Sequence, residues 1–301
     1  MNVVVVGAGI AGLACARELA AGGVTVRVHE RGRVVGGRLA SKRINGRYAD
    51  LGAAYFVADD PDFTLLAEQW RARGLARPWT DTLAVFPGEP TTGPWRWAAP
   101  GGLRSLATDL AAGLPVRLAS ELTAIPDDAD AVVLAMPGPQ ALRLDPPAAV
   151  AEAARAQVWE PVLAAVCTYP ERSWPGMHGA FVNDHPVLAT IFDDGDRRGD
   201  DAPVLVAHST PAFARPRLAD PAAAAGELAA AVNEVLGLTG QPEVRVHRWT
   251  YAQPSPGTPS FATDGRVWLA GDAFGKPRVQ TAWLSGRAVA QAILAGQSTE
   301  R

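Results

Sequence analysis

The chain has 301 residues, with 28 Lys or Arg against 31 Asp or Glu, a formal charge of −3, and 48% hydrophobic residues. That length supports one large or two interleaved domains with a substantial core, and the near-balanced charge argues against nucleic acid or an anionic membrane as the main partner. Cys15 and Cys167 lie far apart with no CxxC or Cys/His spacing, and the five histidines form no HxxxH or HExxH pair, so no metal is expected and both cysteines read as small buried hydrophobes.

The run Val3-Val4-Val5-Val6 has no basic segment before it and is too short to cross a bilayer. It therefore reads as a strand rather than a signal or anchor, and a cytoplasmic location is expected. A continuous β-branched run marks a strand buried on both faces of a parallel sheet. Leu13 to Ala21 then reads as a helix, and Val24, Val26 and Val28 alternate as a second strand. Between the first strand and the helix lies Gly7-Ala8-Gly9-Ile10-Ala11-Gly12. In such a segment the first glycine allows a tight turn, the second lets backbone approach a pyrophosphate, and the third lets helix and strand pack closely. The helix N-terminus offers free N–H groups and a positive dipole end to phosphate. Glu30, 18 positions after Gly12, stands close to the spacing of about 20 expected of a ribose-binding carboxylate. The whole predicts a dinucleotide-binding domain, with NAD and FAD both open at this point.

Gly36-Gly37-Arg38 comes next, and it resembles the second glycine motif of the flavin-dependent amine oxidase superfamily; Asp50-Leu51-Gly52-Ala53 is similar to the D-x-G-A/G segment that follows it there. An FAD pyrophosphate gains from a second backbone approach, and Arg38 is suited to fork onto phosphate oxygens. Of the basic cluster Arg31, Arg33, Arg38, Lys42, Arg43 and Arg47, Arg38 and Arg31 read as ligands and the rest as a solvated face. Asp59 to Trp97 reads as helices and a lid. Pro100-Gly101-Gly102-Leu103, with helical Arg104 to Ala112, resembles the superfamily's PGG-L segment, and Asp130 to Pro137 resembles its DAVVLAxP strand. Only Leu118 to Asp130 separates the flanking strands there, and the resemblance places Leu122 beside adenine.

Val162 to Tyr169, Ala180 to Asn183, Val187 to Phe192, Val204 to His208 and Val244 to Tyr251 read as strands, with Ala219 to Leu236 an Ala-rich helix. Successive strands joined by turns such as Asp194-Gly195-Asp196 predict an antiparallel sheet. Near the end, Val267 to Ala270 forms a short apolar strand leading into Gly271-Asp272, and Val279 to Ile293 reads as a helix. Its small residues Ala282, Gly286 and Ala290, four apart, allow something flat or another backbone to come close. This stretch resembles the C-terminal FAD motif of the same superfamily. There the resemblance implies that Asp272 binds a ribityl hydroxyl and that Val279, Gln280 and Thr281 point the helix N-terminus at the flavin N1 edge, where a dipole stabilises the charge of reduced flavin. No Cys or His lies between Val267 and Gly286, so the FAD is expected to be non-covalent.

The segments DLGAAYFVADDPDF, HRWTYAQP and PRVQTAWLSG are similar to stretches of renalase and its bacterial relatives, a compact branch of the superfamily. The resemblance implies an α/β fold: a Rossmann-like FAD-binding domain with a parallel sheet, discontinuous in sequence (1–57, 98–157 and 257–301), and a substrate domain of antiparallel sheet plus helix (58–97 and 158–256). It implies FAD held by Gly7, Gly9, Ile10, Ala11, Gly12, Glu30, Arg31, Gly36, Gly37, Arg38, Leu51, Gly52, Ala53, Leu122, Gly271, Asp272, Val279, Gln280 and Thr281. It also implies hydride transfer to flavin N5 from a small substrate, 2- or 6-dihydroNAD(P), with O2 as acceptor and hydrogen peroxide as product. The branch carries polar residues where this chain has Ala54 and Val57, and an acid at Gln280, so a drier, less charged pocket is expected. Two other readings are a flavin amine oxidase or secondary-metabolite oxidase, with an aromatic pair drawn from Trp249, Tyr251 and Trp283 beside the flavin, and a redox-neutral protein in which flavin is structural. No catalytic acid or base is identified, and His247 reads as structural.

Overall fold

The computed structural model describes residues 1–174 and 176–299; residues 300 and 301, the end of the expected third FAD-domain segment, lie outside the described residues. In chain order the elements begin with β1 (Asn2–Val6), α1 (Ile10–Ala21), β2 (Thr25–His29), β3 (Ser41–Ile44), β4 (Arg47–Asp50), β5 (Phe56–Val57), α2 (Pro61–Ala72), β6 (Arg77–Phe86) and β7 (Thr91–Ala98). They continue with α3 (Arg104–Ala111), β8 (Val116–Arg117), β9 (Ala131–Leu134), α4 (Gly138–Ala141), α5 (Ala148–Ala156), β10 (Trp159–Thr168), β11 (Gly179–Val182), β12 (Leu188–Asp193) and α6 (Asp194–Arg198). The last are β13 (Val204–Ser209), α7 (Pro211–Ala214), α8 (Ala225–Leu236), β14 (Glu243–Pro254), β15 (Ala262–Thr263), β16 (Val267–Leu269) and α9 (Val279–Thr299).

The chain divides into two units, residues 1–39, 106–158 and 254–301 against 40–105 and 159–253. Unit 1 holds a six-stranded sheet in the order β15-β16-β9-β1-β2-β8. Val3 to Val6 pair in parallel with Val26 to His29 on one side and Ala131 to Leu134 on the other. That central place explains the unbroken valines, since each strand there meets apolar neighbours on both faces. α9 lies against α1: a Cβ on Gly286 would come 2.0 Å from the Ala11 carbonyl oxygen, so the small-residue face admits another backbone.

Unit 2 holds an eight-stranded sheet in the order β14-β10-β13-β12-β11-β6-β7-β5, together with the hairpin β3–β4. From β10 to β5 its neighbouring strands pair antiparallel except for β11 with β6. One face carries Leu163, Ala165, Ile191 and Leu205 under Leu228, Ala231 and Val232 of α8. On the other, Ala49 and Leu51 pack on Val166, Val204 and Val206.

Three expectations are corrected. Asp59 to Trp97 forms one helix and two long strands, α2, β6 and β7, because Phe63 and Trp70 of α2 bury against Phe56 while β6 extends the sheet. Asp194-Gly195-Asp196 opens the helix α6, capped by the Asp193 carboxylate accepting from Asp196 N and closed by Gly199 in the left-handed region. Residues 40–57 and 98–105 fall in unit 2, because Asp50 is buried among α6 side chains and receives the Leu103 amide.

Candidate functional site

In unit 1 the glycine loop is set by backbone. Gly7 adopts φ +107° with a virtual Cβ 2.5 Å from the Ala135 carbonyl oxygen, and a Cβ on Gly12 would stand 2.0 Å from the Gly7 carbonyl oxygen. Neither position admits a side chain. Gly9 is different: nothing lies within 4 Å of its Cβ position, and it caps α1 with no side-chain hydrogen bond. The Ile10 and Ala11 end of α1 thus keeps its first-turn N–H groups without a side-chain cap, an arrangement that fits a phosphate.

Beside this opening, Gly36 N donates to Ala8 O at 2.8 Å, and Gly37, at φ +52°, brings its Cβ position 3.4 Å from the Gly9 Cα. The Glu30 carboxylate accepts from Ala8 N at 2.9 Å and Gly32 N at 2.7 Å, each oxygen retaining a lone pair for a hydroxyl donor. Ala119 N and Ser120 N donate to Gly32 O and Glu30 O, and the His29 ring meets the Ser120 hydroxyl at 2.9 Å. These bonds seat the segment carrying Leu122, itself packed on the Val4–Leu134 core. Arg31 is exposed.

Arg38 departs from expectation. Its fork closes on Asp272, Nη1 to Oδ2 at 2.7 Å and Nη2 to Oδ1 at 2.5 Å, so two residues read as separate ligands form one bidentate pair. The pair ties the glycine loop to the strand end at Gly271, whose N–H donates to the Ser285 hydroxyl. Gln280 and Trp283 are buried in the first turns of α9, beside Val279 and Thr281, and Arg287 lies over the Trp283 ring. An uncapped helix start, an open Gly9, a carboxylate with spare lone pairs and glycines that tolerate no Cβ fit an FAD.

Leu51, Gly52, Ala53, Ala54, Val57, Trp249 and Tyr251 belong to unit 2. The Leu51–Ala54 segment is anchored by side chains distant in sequence. Leu51 O accepts from Trp249 Nε1 at 2.8 Å and meets His208 Nε2 at 3.3 Å. Ala54 O accepts from Arg197 Nη1 at 2.7 Å. Asp50, 2% exposed, accepts from the Ser41 hydroxyl and from Arg198 Nη2 at 3.3 Å. Arg197 also pairs with Asp194, which is fully buried and held by Arg47 at 2.5 Å. Burial pushes the Asp50 carboxyl up against the pull of Arg197 and Arg198. For Asp194, burial acts upward, but Arg197, Arg198 and Arg47 together hold it below the usual carboxylate range. Burial brings His208 down to about 4, so its ring is neutral and offers Nε2–H to Leu51 O.

Trp249 is therefore an anchor, and Tyr251 stands edge-on to Trp159 at 6.4 Å. His247 lies 4.5 Å from the Trp249 ring, its pKa lowered by burial and by Lys42 and Arg248. Arg47, read as part of a solvated face, is half-buried in the ion network. Sequence reasoning missed Arg197, Arg198, Asp194, His208 and Arg96. The last is 6% exposed on β7 and is paired in register with Val57.

A model of NAD(P)-binding Rossmann-like domains matches residues 5–70, and one for flavin containing amine oxidoreductases matches residues 80–294. A putrescine oxidase from Kocuria rosea is 43% identical over 68 residues, 23% of this chain; the chain spans 14% of that relative's length. Among solved structures, a protein from Exiguobacterium sp. 255-15 assigned as a protoporphyrinogen oxidase aligns at a TM-score of 0.77 and 16% identity, over 98% of this chain and 99% of that one. A putrescine oxidase double mutant gives 0.75 at 19% identity with the same coverage. A fatty acid isomerase from P. acnes gives 0.71 at 13%, over 96% and 98%. These likenesses establish the fold. Among the described residues no helix is long and apolar enough to cross a membrane.

Proposed function

Because the chain belongs to the flavin containing amine oxidoreductase family, whose model covers residues 80–294, and is thus an FAD-dependent oxidoreductase, we propose that it draws a hydride from a small, non-cationic substrate, with O2 as final acceptor and hydrogen peroxide as product. FAD supplies the two-electron acceptor. In this reading unit 1 is the FAD-binding domain and unit 2 the substrate domain. Gly7, Gly9, Ile10, Ala11 and Gly12 hold the pyrophosphate at the start of α1, with Gly36 and Gly37 as a second backbone approach. Glu30 takes the ribose hydroxyls and Leu122 the adenine side. Asp272, oriented by Arg38, offers its remaining lone pairs to the ribityl chain, and Val279, Gln280 and Thr281 present the start of α9 to the flavin. Leu51, Gly52 and Ala53 are further candidate contacts for FAD.

The renalase-like reading, 2- or 6-dihydroNAD(P) as substrate, rests on one observation: the unpaired Arg96 guanidinium stands in register with Val57. Bringing an ammonium to about 4 Å from such a charge costs roughly 4 kcal/mol at an effective dielectric of about 20. A diamine is disfavoured there, whereas a neutral dihydropyridine ring on a phosphate-bearing tail is not. Ala54 and Val57 carry no titrating group, and the Trp249 and His208 ring donors are engaged by Leu51. This suits a substrate whose hydride loss is driven by aromatisation rather than by a base. Two buried free thiols, Cys15 and Cys167, support the cytoplasm as location.

The test is anaerobic mixing of the yellow protein with 2- and 6-dihydroNAD(P), NAD(P)H, putrescine and a panel of amines, following loss of flavin colour. Bleaching by a dihydronicotinamide isomer is expected. Bleaching by an amine alone establishes the amine oxidase reading instead, and no bleaching by any reductant points to a structural flavin.

A further inference from the structure

Three arginines of unit 2 are nearly inaccessible: Arg96 at 6%, Arg197 at 1% and Arg198 at 9%. Arg197 and Arg198 share Asp50 and Asp194 as counter-ions. Arg96 has no ion pair among the described residues. Its Nη1 donates to Asp81 O at 2.7 Å, its Nε has no partner, and its guanidinium carbon lies 5.4 Å from the centre of the Tyr55 ring. A cation–π contact returns about 0.5 to 2 kcal/mol, less than the several kcal/mol that an uncompensated buried charge costs. The side chain therefore lacks a counter-ion that the fold does not supply.

Its direction says where the missing charge belongs. In the antiparallel ladder with β5, Arg96 is paired with Val57, and paired residues project to the same face; on its other side it meets Thr80 between two register shifts. Gly93, exposed, would bring a Cβ only 3.6 Å from Nη2; its lack of a side chain keeps that nitrogen approachable. The neighbours Val57, Thr80 and Tyr55 supply no second cation, and a guanidinium fork matches a planar or tetrahedral oxyanion through two parallel hydrogen bonds.

We infer that Arg96 is the specificity-determining contact for an oxyanion of the substrate, a carboxylate or a phosphate. This deepens, and rests on, the placement of the substrate beside Val57 proposed above. The probes are phenyl phosphate, benzoate and benzamide, which share one ring and differ in head group. They are titrated into the oxidised flavoprotein by flavin absorbance, and into the flavin-free protein by thermal midpoint, since a ligand bound to the native state raises it.

At least one anion is expected to bind about tenfold or more tightly than benzamide; the tighter anion identifies the source, phosphate pointing to a nucleotide and carboxylate to an organic acid. Arg96→Met should abolish that preference without lowering the thermal midpoint, because it removes an unpaired buried charge. Arg96→Lys should keep part of it and serves if the first variant does not fold. Benzamide binding as tightly as both anions, or an anion preference unchanged in either variant, overturns the assignment. If no dihydronicotinamide reduces the flavin while Arg96-dependent anion binding persists, the substrate reading fails and the oxyanion site stands. If reduction occurs and Arg96→Met leaves both KM and anion binding unaltered, the reverse holds.

Discussion

Unit 1 and unit 2 hold their candidate site residues by different means. In unit 1 the cradle is backbone: glycines where no Cβ fits, a helix start without a side-chain cap, and one carboxylate held by two amides. In unit 2 the Leu51–Ala54 segment hangs from side chains that come from α6, β13 and β14. Backbone sites are rigid to substitution by any side chain, whereas side-chain sites depend on each partner staying paired. The difference can be tested position by position.

The largest effect is expected within unit 1, between two glycines of one loop. Gly12→Ala places a Cβ 2.0 Å from the Gly7 carbonyl oxygen, a clash that only a backbone shift relieves, so the variant should be recovered flavin-free and largely unfolded by circular dichroism. Gly9→Ala meets no protein atom within 4 Å at φ −76°. It should keep its flavin-free thermal midpoint to within about 1 kcal/mol of stability yet lose FAD affinity about tenfold or more in an equilibrium titration. Equal loss of folding at both positions would erase the distinction between a packed glycine and one left open for phosphate.

The counterpart in unit 2 is Asp194→Asn. It leaves Arg197 and Arg198 short of a counter-ion in a site where Asp194 itself is fully buried. Breaking such a pair costs about 3 to 5 kcal/mol, to be read from urea unfolding. A loss below about 1 kcal/mol would mean that the network tolerates neutral partners and that the segment is held mainly by packing.

The contrast also decides what the sequence could reveal. Gly7, Gly9, Gly12 and Glu30 fall within 24 residues, and the periods around them already specify strand, helix and strand, so the fold of this loop was legible from spacing. The strands of unit 2 were legible for the same reason, as alternating apolar runs. The ion network was not: Asp50, Asp194, Arg197 and Arg198 are joined by a fold that brings residues about 150 positions apart together, and Asp194-Gly195-Asp196 has the composition of a turn until Asp193 caps it as a helix. Arg96 was hidden differently, since burial, and not identity, makes an arginine noteworthy. Arg38 and Asp272 were each legible, but their pairing was not, because each alone resembles a ligand.

Acid sensitivity is the next effect in size. His208 is held at about 4 in the fold against an ordinary value of about 6.5. Its folded pKa is lowered, so the unfolded chain binds the extra proton between about pH 6.5 and 4, and stability falls as pH falls through that window, by up to a few kcal/mol. His208→Phe should flatten this part of the stability curve while losing the Leu51 contact at all pH values. A slope unchanged in the variant would assign the acid response to other groups of the network.

The smallest effect tests the one place where unit 1 relies on side chains. Arg38 and Asp272 pair bidentately, but the Arg38 side chain is 30% exposed, so solvent screens the attraction and the pair itself is worth about 1 kcal/mol or less. If its purpose is to orient Asp272 toward the ribityl chain, Arg38→Met and Asp272→Asn should each weaken FAD binding, and the double variant should be no weaker than the poorer single one. A double-mutant cycle on FAD affinity reads that non-additivity directly. Were Arg38 to grip phosphate independently of Asp272, the two losses would add, and the clasp would resolve into two separate ligands, as their sequence motifs first suggested.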